Sequence, residues 1–308
     1  MGNHEQVRTD ARRDIREFLA TRRARLTPEQ VGLPVFGGSR RVKGLRREEV
    51  ATLAGISVEY YIRLERGEAG GVSETVLAGV GHALRLDEIE RAHLSDLIRA
   101  ERECPDLRRT RRTTLRAPIQ RILDSMSTTA AVVYNGRLDI IGTNALGRAL
   151  YEPMYASASA NAGPARPVNS ARFIYLDPAA RTFWRDWDKI ADDSADVLRA
   201  EAGRNPCDHE LFALIGELST RSEDFRTRWA RHDVRIHTTG FKRIHHPVVG
   251  DLDLPYEATP LAADPGQTLL MYTAETASPS EDSLRMLASW AVSQGEADAS
   301  APAQERSV

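Results

Sequence analysis

The sequence has few cysteines and no long apolar run. Two of its 308 residues are cysteines, Cys104 and Cys207, and this pair fits neither a metal-binding spacing nor a disulfide framework. No apolar stretch approaches the roughly 20 residues that a membrane-spanning helix needs. The first residues also lack the apolar core of a secretory signal. These absences predict a cytoplasmic protein with reduced thiols and no membrane partner.

Sequence signals of catalysis and metal binding are missing as well. The chain has no Gly-rich phosphate loop, no Walker pattern and no Gly-x-Ser-x-Gly elbow. Its histidines at 232, 237, 245 and 246 include no helical His-x-x-x-His pair, and no cysteine is near them. Adjacent histidines in a strand would point to opposite faces of the sheet. We therefore predict no enzyme activity, no catalytic residues, no metal site and no cofactor.

The net charge is only −2, but the charges are unevenly distributed. Residues 1–116 hold 23 Lys and Arg against 18 Asp and Glu, whereas the rest of the chain holds 19 against 26. All four tryptophans lie in the second part. A basic first part and an acidic second part favour two different tasks, one of them involving nucleic acid. Well-solvated arginine-rich helices would explain the same charge distribution.

The first hundred residues predict five helices and no strand. Thr9 or Asp10 is expected to begin the first helix, and a stretch rich in proline and glycine, "TPEQVGLPVFGGSRRVKG", follows it as a loop. Apolar residues recur at helical spacing in "TDARRDIREFLATRRARL", "LRREEVATLA", "SVEYYIRLER", "SETVLAGVGHALRL" and "DEIERAHLSDLIRA". This part of the chain is therefore expected to form an all-α domain.

Ala54-Gly55 interrupts the helical pattern of "GLRREEVATLAGISVEYYIRLERG" near its middle. Glycine adopts positive φ without a Cβ clash, so Gly55 predicts a turn between two short helices. Ser57 would then cap the second helix. The result is the helix-turn-helix layout. A plain helical hairpin within an all-α domain is the alternative.

The second half of the chain mixes strand and helix patterns. Asn135-Gly136 separates two apolar runs, which predicts a β-hairpin. A helical region from about 171 to 233, broken near "AGRNPCD", precedes three strand-like stretches and a last helix. The expected fold class is therefore α+β with two domains. The expected boundaries are a domain at 8–103, a linker at 104–117, a domain at 118–292 and a disordered tail at 293–308.

The segment "GLRREEVATLAGISVEYYIRLERG", with the helices beginning near Ser73 and Asp87, resembles the XRE-type helix-turn-helix domain. It also resembles the subgroup of MmyB-like regulators. The resemblance implies a five-helix, lambda-repressor-like domain that binds double-stranded operator DNA through a recognition helix. By position, the base-reading residues would be Val58, Glu59 and Arg63, and the phosphate or mixed contacts would be Arg46, Arg47, Ser57 and Tyr60.

The chemistry of these residues is compatible with base recognition, although each has an alternative. Arg63 can pair with guanine, Glu59 can accept from a cytosine amino group, and Val58 can contact a thymine methyl group. Alternatively, Glu59 pairs with Arg63 at the i, i+4 spacing and only orients it. Arg46 and Arg47 would likewise form a solvated face if they pair with glutamates 48 and 49.

The second half also carries a resemblance. "AAVVYNGRLDIIGTNALGRAL" resembles the start of a PAS domain, in which a hairpin leads into a short helix through an asparagine, here Asn144. The stretches "YLDPAARTFWRDWDKIA", "WARHDVR", "HPVVGDLDLPYE" and "YTAETASPSEDSLRMLAS" resemble the ligand-binding domain of MmyB-like regulators. This implies a PAS-like antiparallel sheet with helices, and a small apolar ligand such as a fatty acid.

A pocket for such a ligand needs an apolar lining and a few polar groups. The candidates for the lining are Phe183, Trp184, Trp187, Phe225 and Trp229. The candidates for the polar end are His232 and Arg235. The alternative is that these aromatic residues belong to an ordinary core.

Together these features predict a transcriptional regulator that binds specific DNA sequences and senses a small ligand. Because one recognition helix covers only a few base pairs, we expect a homodimer on paired half-sites. We expect it to be cytoplasmic and nucleoid-associated. One alternative is an antitoxin-like or scaffold DNA-binding protein whose second half binds a protein partner. The other is a DNA-tethered enzyme.

Overall fold

A computed structural model describes residues 2–33, 42, 44–70, 72–102, 114–158, 167–231 and 238–300. The chain divides into two compact units. The amino-terminal unit comprises Met1–Arg108, Ala195–Glu217 and Arg226–Ile236, and the carboxy-terminal unit comprises Arg109–Ser194, Leu218–Phe225 and His237–Val308. Among the described residues, no helix has the length and apolar character that crossing a lipid bilayer requires.

Five α-helices from the first hundred residues form most of the amino-terminal unit. They are α1 (Gly2–Arg25), α2 (Arg47–Ala54), α3 (Val58–Glu65), α4 (Glu74–Ala83) and α5 (Glu88–Arg102), and a short 3-10 helix (Glu29–Val31) follows α1. The expected start of α1 at Thr9 or Asp10 is wrong, because the helix begins at Gly2. Its first residues after Gly2 include neither glycine nor proline, so nothing in them ends a helix.

The core of the amino-terminal unit lies where these helices meet. Ile15, Phe18 and Leu19 of α1 are fully buried, as are Val50 of α2 and Tyr61 of α3. Further buried residues come from the segment before α2, from α3 to α5 and from the turn between α4 and α5, namely Leu45, Leu64, Val80, Leu86, Leu94, Leu97 and Ile98. Their helical spacing explains why each helix turns one face inward.

The carboxy-terminal unit is built on a five-stranded antiparallel sheet. Its strands are β1 (Ala130–Asn135), β2 (Ile140–Thr143), β3 (Thr239–His246), β4 (Gly250–Pro260) and β5 (Gln267–Tyr272). They lie in the order β2-β1-β5-β4-β3. The predicted sequence of two strands, several helices and three strands is confirmed, and with it the α+β fold class in two domains.

Helices fill the interval between the two groups of strands and follow the last strand. They are α6 (Ala117–Ser125), α7 (Ala145–Leu150), α8 (Glu152–Ala156), α9 (Ser170–Leu176), α10 (Ala179–Phe183), α11 (Trp187–Arg204), α12 (His209–Arg221), α13 (Glu223–Trp229) and α14 (Pro279–Ser300). Helices α11, α12 and α13 have residues in both units.

Asn144 joins α7 to the first strand of the sheet. Its side-chain oxygen accepts hydrogen bonds from the backbone N–H of Gly147 at 2.8 Å and of Ala131 at 3.0 Å. Its amide group donates to the carbonyl oxygens of Met126 and Thr129, at 2.8 and 2.7 Å. Asn144 is buried, so its side chain pairs with four backbone groups, two of them in buried hydrogen bonds. The predicted entry of a short helix through Asn144 is confirmed.

Two expectations about the second half need correction. Helix α14 continues to Ser300, beyond residue 293, where a disordered tail was expected to begin. This stretch contains alanine, glutamate and glutamine, which favour helix even though few residues there are apolar. Cys207 is disulfide-bonded, contrary to the reduced thiols expected from the low cysteine count. The predicted linker at 104–117 lies mostly outside the described residues, and the domain boundaries stay predictions.

Candidate functional site

Gly55 forms the turn between α2 and α3. Its φ is 68° and its ψ is 32°, in the left-handed region, and its N–H donates to the carbonyl oxygens of Ala51 and Thr52. The N–H of Ile56 also donates to the Ala51 oxygen, at 3.0 Å. Such bonds complete the last turn of a helix and reverse the chain direction. Residue 55 is therefore the corner of a helix-turn-helix and not a glycine inside one helix.

Helix α3 begins at the residue that the sequence predicted. Ser57 Oγ accepts a hydrogen bond from the Tyr60 N–H at 3.1 Å, as an N-cap does. The buried face of the helix carries Tyr61 and Leu64. Because Ser57 caps the helix, its hydroxyl already has an acceptor role before any phosphate is bound.

The outer face of α3 exposes Glu59 and Arg63, which are one helical turn apart. Arg63 has 63% of its side chain exposed, and its Nε lies 3.5 Å from Glu68 Oε2. Arg63 therefore forms its ion pair with Glu68 and not with Glu59, which was the alternative partner considered from the sequence. Val58 and Tyr60 are half-buried and pack against the core. Of the predicted base-reading residues, Val58 thus has the least free surface.

Arg46 and Arg47 begin α2 but have different partners. The Arg46 N–H donates to Glu49 Oε2 at 2.6 Å, and its Nη1 lies 3.2 Å from Glu48 Oε1. Arg46 thus pairs with the neighbouring glutamates Glu48 and Glu49, which was the alternative to a role in phosphate binding. Arg47 instead donates through Nε to Glu65 Oε2, and 53% of its side chain is exposed.

Glu65 is a buried carboxylate that links three helices, and the sequence analysis missed it. Only 1% of its side chain is exposed. Arg23 of α1 donates to its Oε1 through Nε and Nη2, both at 2.9 Å, and Arg47 of α2 donates to Oε2. Because a buried charge is costly unless it is paired, the two guanidinium groups fix the end of α3. The sequence feature that could have indicated the burial of Glu65 is its position four residues after Tyr61, on the same face of α3.

The predicted ligand-lining aromatic residues of the carboxy-terminal unit form two connected groups. Phe183 and Trp184 have ring centroids 4.7 Å apart and lie 6.2 and 5.9 Å from the ring of Tyr151. Trp187 and Phe225 lie 6.4 and 5.0 Å from the ring of Tyr175. All four predicted residues are buried. Together with Tyr151 and Tyr175, these four residues form what we call the aromatic layer.

Trp229, the fifth predicted lining residue, lies in the other unit. It belongs to the amino-terminal unit, where the Arg199 guanidinium lies 3.9 Å from its ring centroid. Arg199 also donates to the Trp229 carbonyl oxygen. The two predicted polar residues, His232 and Arg235, lie outside the described residues.

Three tyrosine hydroxyls lie in or next to the aromatic layer. The hydroxyls of Tyr151 and Tyr272 hydrogen-bond to each other, and Tyr134 interacts with Tyr151 and Ser170. Burial raises the pKa of Tyr134, Tyr151 and Tyr272 well above the ordinary value of a phenol. All three hydroxyls therefore stay protonated and are available as neutral hydrogen-bonding groups.

Lys242 of β3 is a nearly buried cation beside the sheet. Its Nζ lies 3.3 Å from Asp193 Oδ2 and 4.9 Å from the ring centroid of Tyr256. Burial lowers the pKa of Lys242, while Asp193 opposes that shift. Because Asp193 already pairs with this cation, Lys242 is a poor partner for a second anion.

His245 and His246 lie on opposite faces of β3, as the sequence predicted. His246 is fully buried, and burial lowers its pKa. Its Nε2 is 3.1 Å from the Ala149 carbonyl oxygen, and the Val248 N–H donates to its Nδ1 at 3.2 Å. His246 is therefore a neutral core residue. Within the described ranges, no group of three or more His, Cys, Asp or Glu side chains could hold a metal ion.

Two segments of the chain match known protein families. Residues 115–287 match the MmyB-like transcription regulator ligand binding domain, and residues 14–94 match a helix-turn-helix domain. Comparison with curated proteins gave no match. The first match includes residues 195–217, which the structure groups with the amino-terminal unit.

Proposed function

Because this chain belongs to the MmyB-like transcription regulators, which respond to ligands, we propose a sequence-specific operator-binding protein that senses a fatty-acid-like molecule. We also propose that it works as a homodimer, is cytoplasmic and nucleoid-associated, and has no enzyme activity. The helix-turn-helix and ligand-binding domains divide these tasks.

The observation that carries the DNA-binding proposal is the exposed pair of Glu59 and Arg63 on α3. They lie at i, i+4, so both can reach into one groove while Tyr61 and Leu64 anchor the opposite face. Arginine pairs with guanine through two hydrogen bonds, and this contact favours the matched base pair by about 1–3 kcal/mol.

Phosphate contacts are proposed for the residues around the start of α2 and α3. Arg46 and Arg47 are exposed cations at one end of the pair of helices. Contacts to phosphates position a protein on DNA without reading its sequence. Arg47 is the stronger candidate, because Glu65 holds its Nε and leaves the terminal nitrogens of the guanidinium group for a phosphate.

The ligand proposal rests on the buried aromatic layer of the carboxy-terminal unit. Phe183, Trp184, Trp187 and Phe225 provide apolar surface, and the phenols of Tyr151 and Tyr272 provide polar groups within it. A mostly apolar lining with few polar groups suits a small apolar molecule with one polar end. Trp229, His232 and Arg235 stay predictions as ligand contacts.

Helix α11 has residues in both units, and we propose that it couples ligand binding to DNA binding. It supplies Trp187 to the aromatic layer of one unit and Arg199 to the other. In the amino-terminal unit, the Arg199 charge acts on Asp14 of α1. We expect ligand binding to shift α11 and thereby to change the packing of Arg199 on α1. A ligand that binds two arrangements unequally changes DNA affinity by the corresponding ratio.

The proposal is tested first by selecting operators from a random-sequence duplex library with the purified full chain. The dissociation constant of the selected duplex is then measured with and without decanoic acid. We expect enrichment of one sequence class and a ligand-dependent shift in affinity. Failure to enrich any sequence would contradict operator binding.

Native mass spectrometry of the same preparation tests the proposed homodimer and the proposed fatty-acid-like ligand. We expect a dimer and a bound small molecule of the fatty-acid class. A ligand-free monomer whose DNA affinity does not change when a fatty acid is added would contradict both the proposed ligand and the proposed dimer. A co-purified protein that binds in place of any small molecule would instead favour a scaffold or antitoxin.

A further inference from the structure

The indole N–H of Trp184 is a buried donor without a hydrogen-bond partner in the described part of the chain. Only 2% of Trp184 is exposed to solvent. A buried donor that loses its water partner and gains no other costs about 1–3 kcal/mol. Most buried polar groups in folded proteins are paired, so an unpaired one requires a physical explanation.

The neighbouring polar groups of the same layer are satisfied. The Trp187 indole N–H donates to the Ile174 carbonyl oxygen at 3.0 Å. The Tyr175 hydroxyl donates to the Ala191 carbonyl oxygen at 2.5 Å. Trp187 and Tyr175 thus have backbone acceptors, whereas the Trp184 indole N–H has none among the described residues.

Trp184 is fixed in position on both sides. The backbone of Trp184 forms a β-bridge to Ile244 of β3, and its backbone N–H donates to the Ala180 carbonyl oxygen at 2.9 Å. Its ring packs edge-on against Tyr151, with an interplanar angle of 60°. The residue is thus joined to β3 and to α10 through its backbone, and its indole packs against the ring of Tyr151.

We infer that the Trp184 Nε1–H is the donor that holds the polar end of the ligand, through a carbonyl oxygen on an otherwise apolar chain. The inference rests on the proposed ligand-binding function and names the atom that recognises the ligand. The bound group is a neutral acceptor, such as a protonated carboxylic acid or an amide. Among the described residues, the rings shown to contact Trp184 are those of Tyr151 and Phe183, and an unpaired anion beside these neutral rings would be costly.

The test uses three tryptophan-to-phenylalanine variants of the full chain. Trp184→Phe removes the N–H and keeps an aromatic ring. Trp290→Phe makes the same chemical change on α14, in a residue outside the aromatic layer. Trp187→Phe removes an indole N–H that already has a protein acceptor. The probes are decanoic acid and decanamide, and their dissociation constants are measured by calorimetry.

We expect Trp184→Phe to weaken both probes about tenfold, which corresponds to the loss of one net hydrogen bond. Trp290→Phe should leave both dissociation constants within about twofold of the wild type, since it removes no ligand contact. A selective loss of decanoic acid with unchanged decanamide would overturn the neutral-acceptor inference.

Ligand-free stability provides the second measurement. Trp187→Phe leaves the Ile174 carbonyl oxygen unpaired, whereas Trp184→Phe removes a donor that had no partner. The midpoint of thermal unfolding should therefore fall further in Trp187→Phe than in Trp184→Phe. An equal or larger fall in Trp184→Phe would show that its N–H has a structural partner, such as a buried water, and would overturn the inference.

The outcomes separate this inference from the proposed function. If the wild type binds decanoic acid and Trp184→Phe binds it equally well, the assignment of Trp184 is wrong and the ligand class stands. If the wild type binds neither probe, both the ligand class and the assignment are wrong. Weaker binding in Trp184→Phe alone supports both.

Discussion

At the scale of single residues, we expect base recognition to depend most on Arg63, which is exposed on α3. Arg63→Ala should lower affinity for the selected operator by roughly 1–3 kcal/mol and relax specificity at one or two base pairs. The exposed ion pair with Glu68 contributes little to stability, so the variant should fold normally. Competition binding with operator and random duplexes measures the change in specificity.

Two arginine variants serve as comparisons for Arg63. Arg47→Ala should weaken operator and random DNA nearly equally and lower the salt dependence of binding, because phosphate contacts carry no sequence information. Arg99→Ala removes a similarly exposed arginine, paired with Asp96 on α5, and should leave DNA binding unchanged. An unchanged ratio of operator to random binding in Arg63→Ala would show that α3 does not read bases through this residue.

Gly55 and Gly67 both have left-handed backbone conformations but differ in their surroundings. A Cβ at Gly55 meets no heavy atom within 4 Å, whereas one at Gly67 would lie 2.4 Å from the Arg12 carbonyl oxygen. Gly55→Ala should therefore lower the free energy of unfolding by about 1–2 kcal/mol, the cost of the left-handed conformation alone. Gly67→Ala should lower it further, because the backbone must also shift.

Denaturant unfolding of the two glycine variants checks this order. Similar losses in both would indicate that the α1 backbone moves away from residue 67 without cost. A much larger loss in Gly55→Ala would show that the turn between α2 and α3 tolerates no side chain at all. Either result would contradict the expected order.

At the scale of elements, local patterns predicted the caps and turns well. Ser57 and Ser73 cap α3 and α4 as their positions indicated, since the hydroxyl of each accepts from the backbone three residues later. The hairpin at Asn135 was also located correctly, but its turn is longer than Asn-Gly. The Asn135 side chain accepts from the N–H groups of Arg137 and Asp139, and Leu138 has a φ of 62°.

Partners that are distant in sequence could not be predicted from the same patterns. A glutamate in a helical pattern is expected to face solvent, whereas the burial of Glu65 depends on Arg23, which lies 42 residues earlier. Phe225 and Trp229 were both candidates for the lining of one pocket, and they are four residues apart in α13. The two belong to different units, because α13 has residues in both. Helical spacing states which residues share a face but not which element covers it.

Asp14 of α1, which interacts electrostatically with Arg199 of α11, has a pKa that is displaced toward neutrality. Burial raises the pKa of Asp14 to about 6, and the nearby carboxylates of Glu17 and Asp10 act in the same direction. Arg199 of α11 and Arg13 of α1 oppose that shift through their positive charges. The folded state therefore holds this proton more tightly than the unfolded chain does.

The pH dependence of stability follows from this displaced pKa. The stabilisation by protonated Asp14 is complete below about pH 4 and is lost as pH rises through 6. Asp14→Asn should remove that loss, so its stability relative to the wild type should increase by about 1 kcal/mol between pH 5 and pH 7.5. Urea unfolding at both pH values measures the difference. A constant difference would show that Asp14 does not titrate in this range.

At the scale of the whole molecule, the family boundary and the compact units do not coincide. The ligand-binding family covers residues 115–287, yet Ala195–Glu217 and Arg226–Ile236 belong to the unit that contains the helix-turn-helix. The helices that contribute to the aromatic layer also contribute to the unit that binds DNA, so ligand and operator are expected to be linked reciprocally.

The proposed homodimer makes the sharpest prediction at this scale, because its affinity would depend on the helical phase of the two DNA half-sites. A dimer contacts two half-sites on one side of the duplex, separated by about one helical turn of roughly 10 base pairs. Inserting five base pairs between the selected half-sites should reduce affinity to about that of a single half-site, since the second half-site then lies on the opposite side. Inserting ten should restore part of the affinity. Gel-shift titration of the three duplexes measures this, and equal affinity for all three would indicate that monomers bind independently.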